Sequence, residues 1–264
     1  MSYPHPPVMG GSRPVSLGAP YRQQTRTDLR PPRPAIRTRR YEIAWLAPNG
    51  EKKTSTQLAP ATPFFEEAFS AFARGTLIQA TGGPVAIEDL SPGDRVQTAE
   101  GRLETITWIG SMTAYPAHAI PQVEAMTLTR LIADALGLGR PMPDLLLGPR
   151  ARILVRDARC AGATGTEAAY APARAHIDGD TVVEVRPAAP ISMYHLVLEH
   201  HGSVRAGGLD VEAYHPGPGL AAQLDPQMMT FFLGLFPQLK SVADFGALAW
   251  PRISEDDFSL MIAA

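Results

Sequence analysis

The sequence predicts a mostly β fold flanked by a basic N-terminal arm and a helical C-terminal extension. Three observations carry that expectation. Short β-type runs separated by turn signals crowd residues 70–217, a densely apolar helical stretch follows them, and residues 1–40 hold eight of the 26 prolines with almost no aliphatic periodicity. A chain of 264 residues suits one large domain or one domain plus extensions, and 45% hydrophobic against 19% charged residues is enough to bury a core.

The arm, residues 1–40, carries eight arginines (13, 22, 26, 30, 33, 37, 39 and 40) against one acid, Asp28, so +7 sits there and −9 on the remainder. A segment of that composition cannot repay the entropy of ordering and is expected to be disordered. Its charge suits weak electrostatic contacts with an acidic surface, or it is a tolerated tail. Residues 41–69 read as a lead-in. Tyr41 to Leu46 alternates as a strand, Pro48-Asn49-Gly50 is a hairpin turn signal, and Thr62-Pro63 opens a short helix with Glu66 and Glu67 behind it.

Within 70–217 the strand expectations are Leu77–Ala80, Val85–Ile87, Arg95–Thr98, Leu103–Ile109, Leu145–Leu147, Ile153–Val155, Val182–Val185 and Ile191–Leu198. Gly82-Gly83 turns the first pair, and Ser91-Pro92-Gly93-Asp94 places Pro and Gly in the centre of a type II turn. Trp108 is a core candidate. Leu128, Leu131, Ile132, Ala135 and Leu136 fall at helical spacing. Asp157–Thr166 reads as a loop around Cys160. In 218–264, Asp225-Pro226 caps a helix whose Met228, Met229, Phe231, Phe232, Leu233, Leu235 and Phe236 cover nearly every face, to pack on the β domain or to make a dimer contact.

Several chemistries close early. One cysteine, Cys160, excludes a disulfide framework or a multi-cysteine metal site. With lysine only at 52, 53 and 240, no phosphate loop ends in Gly-Lys-Ser/Thr, and no Gly-x-Ser-x-Gly elbow is present. No apolar run is long enough for a membrane span and no signal-peptide pattern opens the chain, so the expected location is cytoplasmic. If the strand ending at Leu198 continues, His195, Glu199 and His201 share one face, with His200 and His215 nearby. That set could bind a metal, or its histidines are ordinary hydrogen-bonded strand residues. No cofactor or metal is expected.

The order of motifs from 71 onward resembles the Hint (hedgehog/intein) domain family, in its bacterial branch. Ala71-Phe72-Ala73-Arg74-Gly75-Thr76 is similar to the opening Cys-Phe-x-x-Gly-Thr segment, and Leu90-Ser91-Pro92-Gly93-Asp94-Arg95-Val96 to the Leu-x-x-Gly-Asp-x-Val hairpin. Asp144-Leu145-Leu146-Leu147-Gly148-Pro149-Arg150-Ala151-Arg152 resembles the Asp-Leu-Leu-x-Ser-Pro-x-His-Arg segment. Tyr194 to His201, Gly208 and Glu212-Ala213-Tyr214-His215 resemble the closing block.

The resemblance implies acyl shift and peptide cleavage. A Cys or Ser at the first position attacks the preceding carbonyl, and a histidine protonates the departing nitrogen. Here Ala71 stands at the nucleophile position and Ala151 at the histidine of Ser-Pro-x-His. Gly207 occupies the asparagine position of Ala-Asn-Gly, and the chain's one Asn is Asn49. His195 and His201 match family positions. Ser70 offers a hydroxyl one residue out of register, which in a strand points to the other face. The remnant-site candidates are therefore Ser70, Ala71, Thr76, Ala151, His195 and His201. The expected function is a non-catalytic interaction or structural module with a protein partner not identified by the sequence. Residual autoprocessing near residue 70 is the alternative.

Overall fold

In the computed structural model, residues 37–116 and 126–263 are described. β1 (Thr38–Leu46) and β2 (Lys52–Pro60) form a hairpin, followed by α1 (Pro63–Glu67). β3 (Phe72–Ala73), β4 (Leu77–Ala80), β5 (Gly83–Ala86), β6 (Arg95–Gln97), β7 (Leu103–Ala114), β8 (Leu128–Leu131), β9 (Leu145–Leu147) and β10 (Arg152–Arg156) come next. The short α2 (Cys160–Thr164) precedes β11 (Ala168–Pro172), β12 (Val182–Val185), β13 (Ile191–Leu198), β14 (Ser203–Ala206) and β15 (Leu209–Glu212). α3 (Leu220–Gln223), α4 (Pro226–Gly234) and α5 (Glu255–Ala263) close the chain.

These strands join in one antiparallel, strongly bent sheet. Its path runs β11-β10-β15-β14-β4-β6-β7-β13-β3-β9-β8-β12, with β1 added beside β7 and β2 beside β1. β7 is the spine: it pairs with β6 at one end and, from Ile106 to Ala114, with β13. The expected turns form. Gly50 N–H donates to the Ala47 carbonyl, and Asp94 N–H to Ser91, with Gly93 at φ +95° as a type II turn requires.

The two largest buried clusters follow from the alternation. One lies inside the bent sheet and includes Phe72, Ile78, Ile87, Leu131, Leu147, Ala151, Ile153, Leu196 and Val211. The other joins the hairpin, α1, β7 and α4 through rings in contact: Tyr41–Phe69 at 4.3 Å, Phe69–Trp108 at 5.3 Å and Trp108–Phe236 at 4.7 Å between centroids. Trp108 is fully buried, and its Nε1–H donates to the Leu235 carbonyl at 2.8 Å. α4 thus packs on the β domain, capped by Asp225, whose Oδ1 accepts the Met228 N–H.

Three expectations need correction. The helical spacing from Leu128 to Leu136 is not a helix: Leu128–Leu131 pairs with both β9 and β12, and the chain then turns. Gly137 and Gly139 adopt positive φ and Pro141 and Pro143 follow, so a helix could not continue there. The segment around Cys160 is a short helix stopped by Gly165 in the left-handed conformation. Finally, β1 opens at Thr38, so Thr38, Arg39 and Arg40 are strand rather than arm; residues 1–36 lie outside the described residues.

Candidate functional site

The opening strand, the Gly148–Ala151 turn and β13 meet at one buried place. Ala71 N–H donates to the Tyr194 carbonyl at 3.0 Å, and its own carbonyl accepts from Gly148 N–H at 2.9 Å. Ala151 N–H closes the turn onto the Gly148 carbonyl at 3.1 Å. The Ser70 carbonyl lies against the Gly148 α-carbon so closely that a β-carbon there would overlap it. Of the sequence candidates, Ser70, Ala71 and Ala151 are therefore brought together, all three at most 2% exposed.

Two of the three carry only a methyl side chain. Ala71 and Ala151 present methyl groups to the core inside the sheet. Ser70 Oγ donates to the Glu66 carbonyl at 2.7 Å, which holds the hydroxyl on the α1 side. Thr76 does not join them: its Oγ1 donates to the Ala73 carbonyl at 2.7 Å and its carbonyl accepts from Ile87 N–H, so it fixes the turn between β3 and β4.

His195 lies next to Tyr194 in β13, edge-on to Phe72 at 5.7 Å and to Tyr214 at 5.4 Å. Its Nδ1 accepts the Leu196 N–H. Burial, with Arg152, Arg252 and His201 adding positive charge, pulls its pKa well below 6.5. His201 does not share a strand face with it, because β13 ends at Leu198 and the chain turns at Glu199. His201 Nδ1 accepts the Ala249 N–H at 3.0 Å, so Nε2 carries the proton and donates to the Ala213 carbonyl at 3.1 Å. Burial brings its pKa down to about 4. His215 is held the same way, Nδ1 by Gly217 N–H and Nε2 to the Gly246 carbonyl.

The residues that sequence reasoning missed form a charge ladder beside these histidines. Glu67 Oε1 meets Arg152 Nη1 at 3.0 Å, Arg152 meets Glu212 at 3.4 Å, and Glu212 Oε1 meets Arg252 Nε at 3.0 Å. Arg252 Nη2 also donates to the His215 carbonyl at 2.7 Å. Burial raises the Glu212 pKa, against the pull of Arg252 and Arg152. The ladder is two acids against two arginines, so its formal charge is neutral. It ties α1, β10, β15 and the C-terminal segment together. Arg152 and Glu212 lay within the recognised blocks, which was their one sequence signal; Glu67 and Arg252 lay outside them.

None of the described histidines at this place forms a metal cluster with carboxylates. The group of suitable spacing is Glu104, Glu199 and His200, of which Glu199 and His200 are exposed. Arg102 already holds Glu104 at 2.8 Å, a cation where a metal would need a free carboxylate. Among the described residues no helix is long and apolar enough to cross a membrane.

An antiparallel β module in which the first strand, the Gly-Pro-x-x-Arg turn and the strand β13 of the closing block converge on one buried point has the architecture of the hedgehog/intein class. The Hint domain family model matches residues 70–218, more than half of the chain, and the chain belongs to that family. Similar solved structures include a bacterial intein-like domain from Clostridium thermocellum, with 15% identity, 55% of this chain and 99% of that one covered, and a TM-score of 0.33. A splice-inactive AceL NrdHF class 3 split intein variant gives 12% identity, 55% and 97% coverage and a TM-score of 0.38. The MchDnaB-1 intein gives 11%, 55% and 100%, with 0.32. No curated protein sequence matches.

Proposed function

We propose that this protein is a non-catalytic Hint module, kept as an interaction or structural scaffold after loss of the self-cleaving chemistry. The module would span residues 70–217, between a lead-in at 41–69 and an extension at 218–264. The observation that carries this reading is the bond between Ser70 and Ala71. The nucleophile position is a methyl group, the acid position at residue 151 is another, and the segment on the N-terminal side of the bond is built into the core. Phe65, Ala68 and Phe69 are all at most 1% exposed, so cleavage would free no loose tail. A thioester cannot form without a thiol, and Cys160 belongs to a separate cluster with Ala169, Ala171 and Phe258.

The competing reading, acyl shift from Ser70, has against it the bond from Ser70 Oγ to the Glu66 carbonyl, since a nucleophilic hydroxyl needs a base as its acceptor. Intact-mass measurement after incubation with dithiothreitol or hydroxylamine tests the proposal. The chain stays at 28.4 kDa if it is right; a fragment ending at Phe69, which acyl shift to Ser70 Oγ would leave, or one ending at Ser70, overturns it.

A further inference from the structure

We infer that β2 is a self-association edge whose partner is a second copy of this chain, paired antiparallel with Thr56 facing Thr56. The four strands that end the sheet differ sharply. β5 and β12 have four residues each, and β5 contains Pro84. β11 is covered on its outer side, where Tyr170 N–H donates to the Pro251 carbonyl and its carbonyl accepts from Ile253 N–H. β2 has nine residues and, among the described residues, pairs with β1 alone. Pro60 has no N–H, its carbonyl accepts from Tyr41 Oη at 3.0 Å, and it is buried with Ala59. The edge open as a template for another strand therefore runs from Lys52 to Leu58.

The residue pattern selects the partner. Lys52 and Lys53 sit at one end of β2, and Ala59 and Pro60 at the other. Parallel pairing of two copies would set lysine against lysine. Antiparallel pairing about Thr56 joins Thr54–Leu58 of the two copies, keeps the two lysine pairs at opposite ends, and generates the two-fold symmetry of a closed dimer. The side chains agree. Thr54, Thr56 and Leu58 are exposed on the outer face, Leu58 at 71%, while Ala59 and Pro60 are buried. In this register Leu58 of each copy faces Thr54 of the other, and Thr56 meets Thr56, a favourable cross-strand pair. The β13-β7-β1-β2 layer of one copy would run on into that of its mate.

The test uses the full chain with Thr56→Lys and Thr56→Glu, each altering one exposed side chain. Sedimentation of the native protein at tens of micromolar is expected to give about twice the 28.4 kDa monomer mass. Either variant alone puts like charges face to face and raises the dissociation constant about fivefold to tenfold, and an equimolar mixture of the two restores the dimer. A native chain that stays monomeric at several hundred micromolar overturns the inference, including the case in which the amides of 52–60 are protected by the chain itself. So does a dimer that neither variant weakens, which would place the contact elsewhere.

Discussion

The Ser70 carbonyl oxygen rests directly on the α-carbon of Gly148, with no room between them for a methyl group. That contact seats the first strand of the module against the turn that carries Ala151. The family segment that residues 144–152 resemble has a serine where this chain has Gly148. Gly148→Ala is expected to cost about 3 kcal/mol, because backbone rather than a flexible side chain must yield. Gly162→Ala in α2 faces open space and is expected to be neutral or slightly stabilising. Urea midpoints of the two variants check the contrast.

The ladder makes a second prediction. Arg252→Met leaves Glu212 buried beside one arginine instead of two and is expected to destabilise by about 3–5 kcal/mol. The double variant Glu212→Gln, Arg252→Met should lose clearly less than the sum of the two single changes, because each single change strands its partner. Additive losses in denaturant melts would mean the two residues do not act as a pair.

Acid should loosen the fold through its buried histidines. Burial lowers His176, His201 and His215 to about 4, and His195 falls well below 6.5. The unfolded chain takes up these protons first. The stability they reflect is full above about pH 6.5 and is lost as the pH falls toward 4. Glu212, whose pKa burial raises, works in the opposite sense and offsets part of the loss. The melting midpoint is expected to drop on the order of 10 °C between pH 7 and pH 5. His201→Gln should flatten that slope.

The start of β1 offers a fourth prediction. Arg39 Nε lies 2.8 Å from Glu66, and the Arg37 carbonyl accepts the Ala61 N–H at 2.8 Å. A chain beginning at Tyr41 is therefore expected to be about 1–3 kcal/mol less stable than one beginning at Ile36. Equal melting midpoints would show that these contacts contribute nothing.

Much of this fold is legible because its strands are short, alternate, and sit between Gly and Pro turns; Ile191–Leu198 and Val182–Val185 are read to the residue. Leu128 to Leu136 misleads because Leu128 and Leu131 fall three apart, a spacing that fits one helix face. In the structure they enter different clusters from a strand paired on both sides. The ordered motifs place Ala71, Ala151 and His195 near one another. They do not reveal the ladder, because Glu67 meets Arg152 across 85 residues and Arg252 meets Glu212 across 40. No local pattern marks a pair of that kind. The shared face that a continued strand would give His195 and His201 does not form, because β13 stops three residues before His201.

The claim that the Hint fold persists here without its chemistry is tested most directly by mass spectrometry of the native chain, Ala71→Cys, and Ala71→Cys with Ala151→His, each incubated with dithiothreitol. The native chain and the single variant are expected to remain whole, the former at 28.4 kDa. A lone thiol at 71 has no acid at 151, and the Ser70 carbonyl is pinned on Gly148. The double variant is expected to cleave slowly at most, since an imidazole at 151 must force its way into a packed core. A fragment ending at Phe69 or Ser70 from the native chain, or rapid cleavage after Ser70 by the single variant, would contradict the claim, and the latter would put an active acid, His195 or His201, in place of residue 151.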